Sequence, residues 1–355
     1  MRAEEDGGRF VWVDWAKTIG IYLVIAGHLS KRFVFAEPCK VRLECIHDFI
    51  YVFHMPLFFF ISGFLEKERG FRESVKRAAK SLLLPYVLFF GIFYVFYAFG
   101  ACLKTPAAAL PAALAKPLRR FFTSGGFTSS SYAQTWLAAS VWFLPSLFWV
   151  KIAHAAALKI RGGRLLYYAA SAVLAAVIVP ALPKIPFYLS SAVLSFPFFA
   201  AGFIARRTGL LNKLKRRGKL LNVVFAAAGF FLVIYGSFEN DQVNVYSFIY
   251  GRSLPLFYFF GAAGVLATVS LCLLFRRGFR AVRLISGGTL TILAVHGYAM
   301  AALTVFMNAR VIPGVFAAAA SALFVLLLCL PVVIFVRERA PALSGGPNPD
   351  YSRSL

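Results

Sequence analysis

The chain has 355 residues, of which 60% are hydrophobic and 15% charged, and its mean hydropathy is +0.74. Soluble domains have nearer 45–50% apolar residues, so this composition excludes an ordinary soluble protein and indicates a polytopic membrane protein. The net charge of +24 would suggest nucleic-acid binding in a soluble chain. No basic stretch here carries interleaved aromatic residues, so we predict no nucleic-acid partner.

Apolar segments recur along the chain, each near the roughly 20 residues that cross a bilayer. They cover residues 10–29, 47–65, 82–102, 133–153, 165–182, 187–205, 220–237, 253–274, 286–306 and 312–336. We therefore predict an all-α integral membrane protein with about ten transmembrane helices. Residues 1–340 form one membrane domain, and the Pro/Gly/Ser-rich tail at 341–355 is predicted to be disordered.

The basic residues are unevenly divided between the predicted loops. No basic stretch precedes the first apolar segment and no small-residue cleavage site follows it, so it is interpreted as a retained span and not a signal peptide. With the N-terminus inside, 25 of the 38 Lys and Arg residues lie on the inner side and 11 on the outer side. The positive-inside rule then predicts that both termini are cytoplasmic.

Two loop features leave alternatives open. The outer loop at 103–132 is too long for a simple connector and is expected to be a partly ordered lid or a glycan-facing loop. Cys39 and Cys45 share one predicted outer loop, where they form either a disulfide or two thiols. The cysteine spacings match no metal site, and we predict no metal. The segments PLFFFISGF (56–64) and PFFAAGF (197–203) echo each other without forming an inverted repeat.

The first segment carries three polar residues where a membrane helix is otherwise apolar. Lys17 and His28 lie eleven residues apart, on one helix face and about 16 Å apart along the axis. Asp14 precedes Lys17 by one turn, close enough to pair with it. A charge near a bilayer centre costs about 2.5–3.5 kcal/mol, so we expect this stripe to face a protein interior or a cavity. His28 is the candidate general base, because neutral imidazole serves that role near pH 7.

The other histidines have structural alternatives. His47 and His154 lie near the predicted interfaces, where an interhelical hydrogen bond is the favoured interpretation. His54 lies two turns below His47, and His296 lies in the middle of a predicted span.

The segment VDWAKTIGIYLVIAGH (13–28) resembles the opening helix of the membrane acyltransferase-3 family. That helix has a D-x-x-(R/K) and (R/K)-x10-H pattern, which Asp14, Lys17 and His28 fill. FHMPLFFFISGFL (53–65) is similar to the family's second helix, particularly in the branch resembling fucose O-acetylases. KRAAKSLLLPY (76–86) is similar to its R-x-x-R motif before a proline, although Lys80 loses the bidentate phosphate binding of an arginine. VWFLPSLFWV (141–150), SFPFFAAGFIARR (195–207) and LTILAVHGYAM (290–300) resemble later helices.

The resemblance implies roles for named residues. His28 would act as general base or as a transient acyl carrier, while Lys17 and Asp14 would orient the site or stabilise negative charge. Cations on the inner side would bind the phosphates of an acyl-CoA, with topology alone as the alternative. These are Arg72, Lys76, Arg77, Lys80, Arg206 and Arg207. The substrate pocket would include His54, Ser62, Trp142, Phe143 and His296, for which packing is the alternative.

The resemblance thus predicts an acyl-CoA-dependent O-acyltransferase in the membrane lipid, multi-pass and in the bacterial cytoplasmic (inner) membrane. The predicted partners are acetyl-CoA as donor and a cell-surface or lipid-linked carbohydrate as acceptor. The alternative is a transporter or flippase of polyprenyl-linked sugars, which would have discontinuous helices in matched halves that the sequence does not indicate.

Overall fold

The structure, a computed structural model, describes residues 5–6, 9–32, 39–123, 141–159, 187–306 and 314–345. The α-helices are α1 (Val11–Arg32), α2 (Cys39–Leu65), α3 (Phe71–Ala78), α4 (Leu84–Lys104), α5 (Leu110–Thr123), α6 (Phe143–Ala157), α7 (Leu189–Arg207), α8 (Leu210–Arg216), α9 (Lys219–Glu239), α10 (Leu254–Leu273), α11 (Arg280–Gly287), α12 (Thr289–Phe306) and α13 (Gly314–Arg339). A π-helical turn at Ala79–Leu83 joins α3 to α4, and 3-10 turns occupy Ala107–Ala109 and Pro341–Ser344. Two short antiparallel pairs join β1 (Glu5–Asp6) to β2 (Arg9–Phe10) and β3 (Val243–Asn244) to β4 (Ile249–Tyr250).

The helices confirm an all-α polytopic membrane protein. Within the described residues, six helices are long and apolar enough to cross a membrane, and the bent pair α11 and α12 would make a seventh. The six lie in α2, the continuous α3–α4, α7, α9, α10 and α13. The helix α1 has 22 residues but is not among them, because its polar stripe lowers its hydropathy. The predicted segment 165–182 lies outside the described residues, and the count of about ten stays a prediction.

The helix α2 lies at the centre of the fold and contacts α1, α7, α9 and α10. Its contact with α7 depends on two glycines. A Cβ at Gly63 would lie 1.9 Å from the carbonyl oxygen of Phe199, and one at Gly202 would lie 2.0 Å from that of Phe60. Small residues let helix backbones approach closely in membranes. The two echoing segments of the sequence therefore form one tight helix–helix contact.

The predicted span at 286–306 is interrupted. The axes of α11 and α12 differ by 83° across a break at Gly288, so the first residues of that span belong to a separate helix. A Cβ at Gly288 would lie 2.3 Å from Cγ1 of Val333 on α13. The absence of a side chain at Gly288 therefore allows α13 to pack against the break.

Helices account for two of the features that were predicted to lie in loops. Part of the expected loop at 103–132 forms α5, which packs on α4 through hydrogen bonds from Tyr94 and Tyr97 to the carbonyl oxygens of Leu114 and Ala113. Cys45 is a free thiol, and both Cys39 and Cys45 belong to α2. The two residues lie six positions apart, so their Cα atoms are about 9 Å apart along the helix axis, farther than a disulfide allows.

The chain remains structured past the predicted domain end at residue 340. Pro341–Ser344 form a 3-10 turn that contacts α4, α12 and α13. Residues 346–355 lie outside the described part of the chain.

Helix ends that the alternating topology assigns to the inner side lie together. Lys151 of α6 forms an ion pair with Glu66 after α2, and Arg207 of α7 pairs with Glu68. On α1, the Trp15 indole donates to the carbonyl oxygen of Arg277, 3.0 Å away. Their common side agrees with the predicted alternation, while its assignment to the cytoplasm stays a prediction.

Candidate functional site

Lys17, one of the three polar residues of α1, faces a cavity of about 680 Å³. Lys17, Ile21 and Val24 line it from α1, at the spacing of one helix face. The other lining residues include Met55, Phe58 and Ser62 of α2, Leu82, Phe143 and Leu144, residues 284, 286–291 and 293 around the helix break, Val333 and Arg337 of α13, and Pro341, Ser344 and Gly345. The expectation that this stripe faces a cavity therefore holds for Lys17.

His28 lies one turn beyond the last cavity residue of α1, and His296 lies one turn beyond Leu293, the last cavity residue of α12. The Nδ1 atom of His28 is 2.8 Å from the Nε2 atom of His296, a hydrogen bond between the two helices. His296 is fully buried and His28 is half-buried. The structure thus brings together two histidines that the sequence analysis assigned to different roles.

Asp14 binds partners other than the predicted Lys17. Its Oδ1 atom accepts hydrogen bonds from Arg9 at 2.8 Å and from the Ser286 hydroxyl at 2.6 Å. Among the described residues, no ion pair joins Asp14 to Lys17. The expected pairing is corrected because Ser286, at the end of α11, and Arg9 engage the carboxylate. Asp14 therefore anchors the broken helix to α1, next to the cavity.

Lys17 and Arg337 are the cationic residues that line this cavity, and no Asp or Glu lines it within the described part of the chain. The cavity also includes hydroxyl side chains, those of Ser62, Ser286, Thr289, Thr291 and Ser344. The hydroxyls of Ser286, Thr289 and Ser344 already donate to protein oxygens. The two cations without a lining carboxylate suit a ligand that carries negative charge.

The cations that were predicted to bind acyl-CoA lie outside the cavity lining. Arg77 donates to Glu73 at 2.9 Å on the exposed face of α3. Arg206 donates to the carbonyl oxygen of Phe64 at 3.0 Å and lies over the Phe10 ring, and Arg207 pairs with Glu68. Arg72, Lys76 and Lys80 are exposed. Their role in donor binding stays a prediction.

The residues predicted for the substrate pocket are divided between two regions. Ser62 and Phe143 line the cavity. Trp142 packs instead against the rings of Tyr188 and Tyr246, at 6.4 and 5.9 Å between ring centroids. His54 is buried, and its Nδ1 atom is 2.8 Å from the carbonyl oxygen of Ile50.

Sequence reasoning missed three residues of this region. Arg337 was counted only for topology, and Ser286 lay inside an apparently continuous span. Tyr51 was not singled out, although its ring lies 3.8 Å from that of His47, 4.8 Å from that of His54 and 6.4 Å from that of His28. The adjacent Gly287 and Gly288 were the signal that could have indicated the helix break.

Comparison with known proteins finds a family model described as an acyltransferase domain (acyltransferase-3), which matches residues 10–336. The nodulation protein NolL of Sinorhizobium fredii is 28% identical over 206 residues, which is 56% of this chain and 50% of that protein. NolL of Mesorhizobium japonicum is 41% identical over 76 residues, 20% of each chain. The chain thus spans half or less of the curated relatives that it matches. No solved structure matches.

Proposed function

Because this chain belongs to the acyltransferase-3 family, we propose that it is an integral membrane O-acyltransferase. The acyl group is acetyl from acetyl-CoA, and the acceptor is a hydroxyl group of a cell-surface or lipid-linked carbohydrate. The matched relatives come from bacteria, which supports a location in the bacterial cytoplasmic membrane.

The observation that carries this proposal is the position of the His28–His296 pair, one helical turn from a cavity lined by Lys17 and Arg337. An acyl transferase needs a base beside a chamber that accepts an anionic donor. Arg337, Pro341 and Ser344 lie at the end of α13 that the topology assigns to the cytoplasm, where acetyl-CoA is found. The donor therefore enters from that end, and its thioester points toward the histidine pair.

In the transfer, His28 takes the proton of the acceptor hydroxyl as the oxygen attacks the thioester carbonyl carbon. The carbon–sulfur bond then breaks, and coenzyme A leaves as a thiol with the proton from His28. Alternatively, His28 carries the acyl group itself before the hydroxyl receives it. In both routes Lys17, which lies about 16 Å from His28 along α1, binds negatively charged groups of the donor in the cavity and so positions its thioester.

The helix break at Gly288 gives little support to the alternative that the protein is a transporter. A transporter of this kind would have discontinuous helices in corresponding positions of two halves. Within the described residues, one helix pair, α11 and α12, forms a broken span, and Ser286 at its break is hydrogen-bonded to Asp14 of α1.

The direct test is transfer of radiolabelled acetyl from acetyl-CoA by the purified full-length protein, with membrane glycan extract as acceptor. We expect His28→Ala to abolish transfer, because it removes the proposed base. Among the described residues, no other imidazole is hydrogen-bonded to His296 one turn from the cavity. Yield and elution in detergent should match those of the parent protein.

His154→Ala is the matched control. His154 is also a buried membrane histidine, but its ring packs against Phe203 at 4.4 Å and lies outside the cavity lining. We expect a mild effect on transfer. A His28→Ala variant that transfers acetyl at the parent rate would refute the assignment, and transport of labelled lipid-linked sugar without acetylation would favour the alternative.

A further inference from the structure

The hydrogen bonds around His296 restrict where its proton lies. Its Nδ1 atom is 2.8 Å from the carbonyl oxygen of Leu293 and 3.1 Å from that of Ile292, one turn earlier on α12. Carbonyl oxygens only accept hydrogen bonds. The Nδ1 atom of His296 must therefore carry a hydrogen that it donates to its own helix.

This arrangement determines the other nitrogen of His296. A second proton on Nε2 would make the ring a cation, and His296 is fully buried among apolar helices, where a charged imidazole is strongly disfavoured. In the neutral ring, Nε2 is a hydrogen-bond acceptor. The 2.8 Å contact with His28 is then a hydrogen bond from Nδ1–H of His28 to Nε2 of His296.

We infer that His296 is a positioning residue that holds His28 in the tautomer with hydrogen on Nδ1, so that Nε2 of His28 carries the reactive lone pair. This role rests on the proposed acyltransferase function and replaces the expectation that His296 lines the substrate pocket. The backbone carbonyls of α12 orient His296, and His296 orients His28. One imidazole thus takes the place that a carboxylate or carbonyl has behind many catalytic histidines.

The same arrangement serves both routes of acyl transfer. As a general base, Nε2 of His28 takes the hydroxyl proton and later gives it to the departing sulfur, while Nδ1–H stays bonded to His296. As an acyl carrier, Nε2 attacks the thioester carbon, the carbon–sulfur bond breaks and coenzyme A leaves as a thiolate. The acceptor hydroxyl then attacks the acyl-imidazolium, its proton passes to the thiolate, and the bond between Nε2 and the acyl carbon breaks, which returns His28 to its neutral form. In both, the positive charge that forms on His28 is stabilised by the lone pair of His296.

The tautomer can be read directly by ¹⁵N NMR on the full-length protein with labelled histidine in detergent micelles. The His28 signals are assigned by their loss in His28→Ala. We expect a protonated Nδ1 and an unprotonated Nε2 in neutral His28, and a several-fold shift toward the Nε2–H tautomer in His296→Leu. A parent protein in which Nε2 of His28 carries the hydrogen would overturn the inference.

Activity supplies a second measurement that packing alone would not explain. Gln has a carbonyl oxygen at the position of Nε2, whereas the shorter Asn reaches only the position of Nδ1. We expect His296→Gln to keep kcat within about tenfold of the parent, and His296→Asn and His296→Leu to lose about 100-fold or more. The KM for acetyl-CoA should stay the same, because His296 lies outside the cavity lining.

The two failures are distinguishable. If His28→Ala abolishes transfer but Gln, Asn and Leu at position 296 give equal kcat values, the positioning role is wrong and the acyltransferase function stands. If His28→Ala transfers at the parent rate, the catalytic role of His28 is wrong and the positioning role of His296 fails with it. If the parent protein transfers no acetyl, the proposed acyltransferase function itself fails. His154→Gln should leave kcat unchanged in either case.

Discussion

Lys17 lies on the same face of α1 as His28 and lines the cavity, while Asp14 one turn earlier binds Arg9 and Ser286. The three polar residues of α1 therefore have separate surroundings. Asp14 links α1 to α11, Lys17 lines the cavity, and His28 is hydrogen-bonded to His296. Each of these residues therefore has its own role in the proposed transfer, which is determined by the group that its side chain contacts.

We expect Lys17→Ala to lower acetyl transfer by about 100-fold, nearly as much as loss of His28, because a fixed positive charge beside the donor is removed. Lys17→Arg should restore part of the rate, since it keeps the charge. The rate of labelled acetyl transfer per folded protein measures both.

Lys151→Ala is the control, because Lys151 pairs with Glu66 at the inner end and lies outside the cavity lining. It should lower stability while keeping kcat. Equal kcat losses at positions 17 and 151 would contradict a special role for Lys17.

The pairing of α2 with α7 determines how closely these elements approach. Gly63 and Gly202 each contact a backbone carbonyl of the opposite helix, so the contact has no room for a Cβ on either side. Since α2 also carries Met55, Phe58 and Ser62 into the cavity lining, this close contact determines where one wall of the site lies.

We expect Gly63→Ala to lower the free energy of unfolding by about 1–3 kcal/mol, because backbone atoms would have to move apart. Gly91→Ala is the matched change. Gly91 is an exposed glycine of α4, and a Cβ there meets nothing within 4 Å. Thermal unfolding midpoints in detergent should fall for Gly63→Ala and stay the same or rise for Gly91→Ala. Equal midpoints would contradict the close contact.

The whole molecule assembles the cavity from both ends of the chain. Lys17 comes from the first helix, and Arg337 and Gly345 come from the last helix and the turn after it. If the proposed donor occupies this cavity, it meets Lys17 and Arg337, while the predicted set at 72–80 lies on exposed helix surface.

We expect Arg337→Gln to raise the KM for acetyl-CoA about tenfold or more with little change in kcat, because a hydrogen bond to a charged group is worth about 1.5–3 kcal/mol. Arg339→Gln, two residues away on an exposed position of α13, should leave KM unchanged. Steady-state kinetics with varied acetyl-CoA measure this. If Arg77→Gln raises KM and Arg337→Gln does not, the donor binds at the 72–80 surface instead.

Much of this arrangement was predictable where it depends on local spacing. The helical period placed Lys17 and His28 on one face, and apolar length predicted most of the described spans. Contacts between distant residues were not predictable. Nothing local to His28 indicates His296, which lies 268 positions later, and Ser286 reaches Asp14 only because the chain bends at Gly288.

The contacts of α1 have a consequence for biosynthesis. Trp15, Thr18, Tyr22 and His28 hydrogen-bond to groups that lie 262 to 297 positions later in the chain. A ribosome adds about 5–20 residues per second, so α1 leaves the ribosome tens of seconds before these partners exist. During that interval its lysine, aspartate and histidine must be sheltered by water or by the insertion machinery. Nascent chains released before the last helix would therefore lack Val333, Arg337 and the turn that complete the cavity lining. They would present an incompletely satisfied first helix to quality-control proteases.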